Sequence, residues 1–220
     1  MKPYRRRVRP QFILLCILLA LVLINASILT VRLLQARFAG PEAEGVVVPD
    51  YVEAAFLPVN PYSRPGQELT EINGVVIHYV GNPATSAEAN RNYFASLADG
   101  RENTFASSHF IVGLDGEVIQ CIPLTEIAYA SRDRNGDTVA IEVCHPDAGG
   151  EFSAVTYARV VELTAWLCSQ FDLAPDKDVI RHYDVTEKLC PLYYVEHPDA
   201  WDTFRTDVTT AISVEAEISQ

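Results

Sequence analysis

The sequence predicts one α/β (α+β) domain, a central mixed β-sheet flanked by helices, preceded by an N-terminal transmembrane helix. Three observations point to it. From residue 71 onward short β-branched runs alternate with longer stretches of helical spacing. An Asp-Gly pair divides two neighbouring runs, which implies at least one antiparallel hairpin within the sheet. Near the N-terminus stands an uncharged apolar run long enough to cross a bilayer. At 220 residues the chain has room for one domain with a sizeable core and an appended segment, but is short for two full domains.

Residues 1–10 carry Lys2, Arg5, Arg6, Arg7 and Arg9 and no acid. Residues 12–31 are then apolar, interrupted only by Asn25, Ser27 and Thr30. Twenty helical residues at about 1.5 Å each span about 30 Å, the thickness of the hydrocarbon core. The basic cluster ahead of the run predicts a cytoplasmic N-terminus, so the rest of the chain is expected outside the cytoplasm. A cleaved signal peptide is the competing reading, disfavoured by the length of the run and the lack of an A-x-A site close behind it. The expected organisation is a basic cytoplasmic segment (1–10), a single-pass signal anchor in the cell membrane (11–34), a stalk (35–49), a folded domain (50–212) and a short tail (213–220). Five prolines between residues 41 and 65 argue against regular structure there, so residues 50–70 read as an ordered but irregular lead-in.

Charge narrows the function. The chain holds 17 basic and 29 acidic residues, and residues 1–34 take six of the basic ones and none of the acids. The remainder is therefore strongly acidic, which excludes a nucleic-acid binder and general adhesion to anionic surfaces. Of the five cysteines, Cys16 falls in the apolar run, and the other four follow no disulfide-rich spacing. A Cys121–Cys144 pair is open, and Cys168 reads as a core residue.

The elements follow in order. Strands are predicted at VVIHYV (75–80), HFIVGL (109–114), EVIQCIP (117–123), TVAIEVCH (138–145) and DVIRHYDV (178–185). Asp115-Gly116 joins the second and third as a hairpin. SAEANRNYFASLAD (86–99) and SAVTYARVVELTAWLCSQFD (153–172) read as helices. In the latter, Tyr157, Val160, Val161, Thr164, Leu167, Cys168 and Phe171 share one face behind a Ser153 N-cap. PDAWDTFRTDVTTAI (198–212) closes the domain, with Pro198 in its first turn.

The stretch RHYDVTEKLCP (181–191) concentrates chemistry. Pro191 disfavours the α region for Cys190, so the end of the stretch is extended and Lys188 and Cys190 face one side. With His182 they suit a metal site, since zinc takes His nitrogen and Cys sulfur and a catalytic zinc uses three protein ligands. A third ligand must come from His78, His109, His145 or His197; His78, at a strand end before a Gly-Asn-Pro turn, is well placed. A histidine in an apolar strand is, however, more often a satisfied core residue. In TVAIEVCH, Glu142 shares a strand face with Ala140 and Cys144. A carboxylate there is costly to bury unless it is functional or paired, for instance with Arg181.

IHYVGNP, SHFIVGLDGEVIQ, VAIEVCHP and RHYDVTEKLCP, in that order, resemble the zinc-dependent N-acetylmuramoyl-L-alanine amidases, the type 2 amidases related to the peptidoglycan recognition proteins. The likeness covers roughly residues 55–212. It implies a mixed sheet flanked by helices, peptidoglycan as the partner and one Zn2+ per chain; a monomer is expected. It implies His78, His182 and Cys190 as the zinc ligands and Lys188 as a holder of the scissile carbonyl. It implies Glu142 as the general base and acid in the cut between the lactyl group of N-acetylmuramic acid and L-alanine, by zinc-activated water. Where some branches carry a catalytic tyrosine, this chain has Ser108. Asn82, Asn90 and Arg181 lie near the motifs as candidate substrate contacts. Two other readings stay open: a recognition module that binds peptidoglycan without cutting it, and a cysteine hydrolase using Cys144 or Cys190.

Overall fold

The computed structural model describes residues 45–218. The expected cytoplasmic segment and membrane anchor lie outside the described residues, as does the stalk up to residue 44. Among the described residues no helix is long and apolar enough to cross a membrane. Residues 45–49 run without regular structure, and Val46 and Val48 pack against the core.

Six strands form one sheet in the order β1-β4-β3-β5-β2-β6, where β1 is Val52–Ala54, β2 Val75–Tyr79, β3 Phe110–Val112, β4 Val118–Gln120, β5 Val139–Val143 and β6 Val179–Arg181. β3 and β4 are antiparallel and every other neighbouring pair is parallel, so the sheet is mixed. The β3–β4 hairpin turns where the Asp-Gly pair predicts. Gly113 N–H donates to the Glu117 carbonyl, Gly116 N–H donates to the Gly113 carbonyl, and Gly116 takes φ +80°, which a side chain would strain. β1 departs from the expected irregular lead-in. It is three residues long at the sheet edge, with two of them exposed, so it carries no alternation to betray it.

Period-two alternation divides the sheet into two faces. Val75, Ile77, Phe110, Val112, Val139, Ile141 and Val143 point into the larger core, which α2 (Ala154–Phe171) and α6 (Pro198–Ile218) cover. Ile111, Ile119 and Cys144 point to the other face, where α1 (Ala87–Ser96) packs over β3 and β4 through Ala87 and Phe94. That helix leaves the β2, β5 and β6 end of its face for the functional cavity.

The helix expected from residue 153 begins where its cap predicts, and the helix expected from residue 86 is capped in the same way. Ser86 accepts from Ala89 N–H and Ser153 from Thr156 N–H, each satisfying a donor of the first turn. α2 ends at Asp172, in the left-handed region at φ 53°. α6 runs on to Ile218, so most of the tail expected at 213–220 is helical. Trp201 stacks on Phe204 at 5.2 Å, and Tyr157 and Tyr194 meet Phe204 edge-on or tilted, which fastens α6 to α2. The strand expected at 178–185 is corrected. β6 stops at Arg181, and α4 (His182–Thr186) starts at once because Asp184 accepts from Arg181 N–H at 2.8 Å, the carboxylate half of a capping box, which turns the chain into helix. Short helices α3 (Pro175–Asp178) and α5 (Leu192–Glu196) fill the connections.

Candidate metal centre and cavity

Three parallel strands end side by side, and their carboxyl ends build the site, the usual place for a ligand on an open α/β sheet. His78 lies one residue from the end of β2, in register with Glu142 on β5. His182 follows the last residue of β6 and opens α4. Cys190 closes the loop after α4, where its carbonyl accepts from Tyr183 N–H at 2.9 Å. The replacement of a strand by a helix at residue 182 therefore folds the 182–190 segment back over the sheet end.

The ligand atoms of His78, His182 and Cys190 lie within 4.8 Å of one another, all three residues buried. Cys190 Sγ is 3.9 Å from His78 Nδ1, and the two imidazole rings are 4.6 Å apart. His182 Nδ1 is buried without a hydrogen-bond partner. Burial holds the pKa of His78 well below its ordinary value and that of His182 at about 4, with Lys188 adding to both, so both imidazoles are neutral at pH 7. The Cys190 thiol is pushed up to about 12, first by burial and then by Glu142. Two neutral imidazoles and a thiol converging with an orphaned nitrogen fit a zinc ion, which prefers N and S donors and would itself favour the thiolate.

Glu142 is half-buried as a residue, but its Oε2 is buried and has no partner. Pairing with Arg181 is excluded, because Arg181 bonds Asp184 at 2.7 Å and the Tyr194 carbonyl at 2.9 Å. Burial raises the Glu142 carboxyl to about 8 against the opposing pull of Lys188. These groups open onto a cavity of about 870 Å3, large enough for an extended ligand, whose lining includes Lys188, Tyr129, Phe105, Arg132 and Asn135.

The candidate substrate contacts fare differently. Asn82, Asn90 and Arg181 are not among the cavity-lining residues. Asn90 is spent on Thr85, the Ser86 carbonyl and Cys144 Sγ; Asn82 is exposed in the turn after β2; Arg181 clamps α4 to α5. Ser108 is buried and donates to the Phe110 carbonyl, which makes it a strand-entry residue. The four cysteines among the described residues are free and buried, so no Cys121–Cys144 bond forms. Cys144 contacts Asn90 and its thiol is pushed up to about 12, which leaves it inert as a nucleophile. The loop bearing Tyr129, Ser131, Arg132 and Asn135 was invisible to periodicity, because its contribution depends on turn geometry rather than on a repeating apolar pattern.

Fold and site together define a class: a mixed-sheet domain with a buried His/His/Cys cluster and an unpaired carboxyl at the carboxyl ends of its parallel strands. Residues 68–192 match the family described as N-acetylmuramoyl-L-alanine amidase, and the chain belongs to that family. It is similar to N-acetylmuramoyl-L-alanine amidase BlyA of Bacillus subtilis (strain 168), 31% identical over 179 residues that span 72% of this chain and 47% of the relative. Against N-acetylmuramoyl-L-alanine amidase CwlL of Bacillus licheniformis the figures are 32% over 169 residues, 71% and 46%. The chain thus spans about half the length of these relatives. Among solved structures, the catalytic domain of XlyA superposes with a TM-score of 0.59 at 27% identity, covering 71% of this chain and 98% of that one.

Proposed function

We propose that this chain hydrolyses peptidoglycan at the amide between the lactyl group of N-acetylmuramic acid and L-alanine, with His78, His182 and Cys190 holding one zinc ion. The observation that carries this reading is the convergence of three buried ligand atoms within 4.8 Å beside an unpaired buried carboxyl. Membership of the amidase family and the names of the relatives support the substrate class.

Zinc at this site would supply Lewis acidity toward a carbonyl and a lowered pKa for water. The chain's own residues do the rest. Glu142, with a carboxyl raised to about 8 by burial, mostly holds its proton at pH 7 in the metal-free chain; its ionised form takes a proton at Oε2 and returns it to the departing amine. A cation beside it would draw that value down toward the range a base needs at pH 7. Lys188 lines the same cavity and bears its positive charge on Glu142, His78 and His182, which suits it to stabilise an oxyanion on the lactyl carbon. The exposed Phe105 and half-buried Tyr129 offer apolar rings along the cavity for glycan or stem peptide. The apolar run at 12–31 supports a single-pass anchor that keeps the domain outside the cytoplasm; this part rests on sequence alone.

Digesting purified peptidoglycan and measuring new L-alanine amino termini against new reducing ends tests the bond assignment. Amino termini rising alone are expected. New reducing ends would make the chain a glycosidase and overturn the assignment.

A further inference from the structure

His78 has two ring nitrogens, and only one of them faces the cluster. Nδ1 lies 3.9 Å from Cys190 Sγ, while Nε2 meets Ser131 Oγ at 3.1 Å. A neutral imidazole carries a proton on one nitrogen and a lone pair on the other, so its partner decides which nitrogen can ligate. Ser131 is 1% exposed, as is His78, so the pair is sealed from water that could replace either group.

The loop holds this serine deliberately in place. Ala130 N–H and Ser131 N–H both donate to Asn135 Oδ1, at 3.0 and 2.5 Å, and Arg134 N–H donates back to the Ser131 carbonyl at 3.0 Å. The next residue, Arg132, sits at φ 48°, a left-handed conformation that non-glycine residues seldom adopt. Such outliers persist where the surrounding structure determines them, often at functional sites.

We propose that Ser131 is the positioning residue for His78: its hydroxyl oxygen accepts the Nε2 proton, which leaves the Nδ1 lone pair free for the cation shared with His182 and Cys190. The inference rests on the zinc reading of those three residues and adds to it the group that selects the tautomer. Metal-ligating histidines commonly donate their other N–H to such a partner, and its loss typically weakens metal binding by about 10- to 100-fold. Without the hydroxyl, a proton on Nε2 would be buried unsatisfied, which favours its transfer to Nδ1 and blocks the ligand position.

The test uses the full chain stripped of metal. Zinc affinity is measured by competition with a chromogenic chelator for the unmodified protein, Ser131→Ala, Ser131→Thr and Cys190→Ala. The His78 ring is read by 15N NMR in the metal-free forms. Expected are zinc affinity about 10- to 100-fold weaker in Ser131→Ala, recovery to within a few-fold in Ser131→Thr, and an Nε2–H tautomer that gives way to Nδ1–H only in Ser131→Ala. Equal affinity and an unchanged tautomer in Ser131→Ala overturn the proposal while leaving the zinc site standing. Equal loss in the alanine and threonine variants also overturns it, since the hydroxyl would not be the cause. Failure of the unmodified chain to take zinc, or retention of full affinity by Cys190→Ala, overturns the zinc reading and this proposal with it.

Discussion

Resistance of His109 to protonation should cost this fold stability at pH values where carboxylates of ordinary pKa are still ionised. His109 stands at the entry to β3 and is 1% exposed. Its Nδ1 accepts from Ala140 N–H at 3.0 Å and its Nε2 donates to the Glu126 carbonyl at 2.9 Å, which ties β3 to β5 and to the loop after β4. A second proton would have to sit on Nδ1, facing the Ala140 N–H. Burial accordingly holds the pKa at about 4, against an ordinary value of 6.5. Because the folded state resists the proton and the unfolded state accepts it, stability is full above pH 6.5 and is lost as pH falls from 6.5 toward 4. At about 1.4 kcal/mol per unit, the difference amounts to about 3 kcal/mol in the limit and about 2 kcal/mol by pH 5. Urea denaturation from pH 7.5 to pH 5, with zinc bound to hold His78 and His182, measures it. His109→Asn keeps an acceptor for Ala140 N–H and removes the titration. The variant should start less stable and lose about 2 kcal/mol less over this range than the unmodified protein; parallel curves would refute the reasoning.

Three further outcomes are expected. Glu142→Gln keeps the shape of the side chain but cannot accept the proton, so kcat should fall about 10^2- to 10^4-fold with zinc content unchanged; equal activity would remove Glu142 from the chemistry. Phe204→Ala opens a cavity where Trp201, Tyr157 and Tyr194 meet, and should cost about 3–5 kcal/mol in chemical denaturation; a cost below about 1 kcal/mol would show that α6 packs more loosely than described. Arg181→Ala breaks the Asp184 and Tyr194 bonds that hold α4, and should lower stability and zinc affinity while leaving KM for peptidoglycan fragments little changed. A rise in KM alone would return Arg181 to the role of substrate contact.

What the sequence disclosed follows from how locally each feature is determined. β2, β5 and the β3–β4 hairpin were legible because alternation and an Asp-Gly turn are local signals, and so was the Ser153 cap. β1 was not, since an exposed three-residue edge strand has no apolar face to repeat. The strand expected through residue 185 failed because the Asp184 capping bond outweighs the β-branched content of DVIRHYDV. The cluster of His78, His182 and Cys190 joins residues 112 positions apart, so chain spacing could nominate its members but only the parallel register of β2, β5 and β6 brings them together. Asn82, Asn90 and Arg181 were near the motifs in sequence yet do not line the cavity, because nearness along the chain does not fix where a side chain ends up. Ser131 escaped notice because a serine in an aperiodic loop acquires meaning only when His78 is placed beside it.

The central claim is that His78, His182 and Cys190 hold the zinc on which amide cleavage depends. The most direct measurement titrates the protein with a chelator and follows bound zinc and release of L-alanine amino termini in the same samples. The account predicts about one zinc per chain at the start, activity falling in proportion to zinc, and restoration of both when zinc is returned. Full cleavage by zinc-free protein, or a zinc-loaded protein that cuts no peptidoglycan, would contradict it.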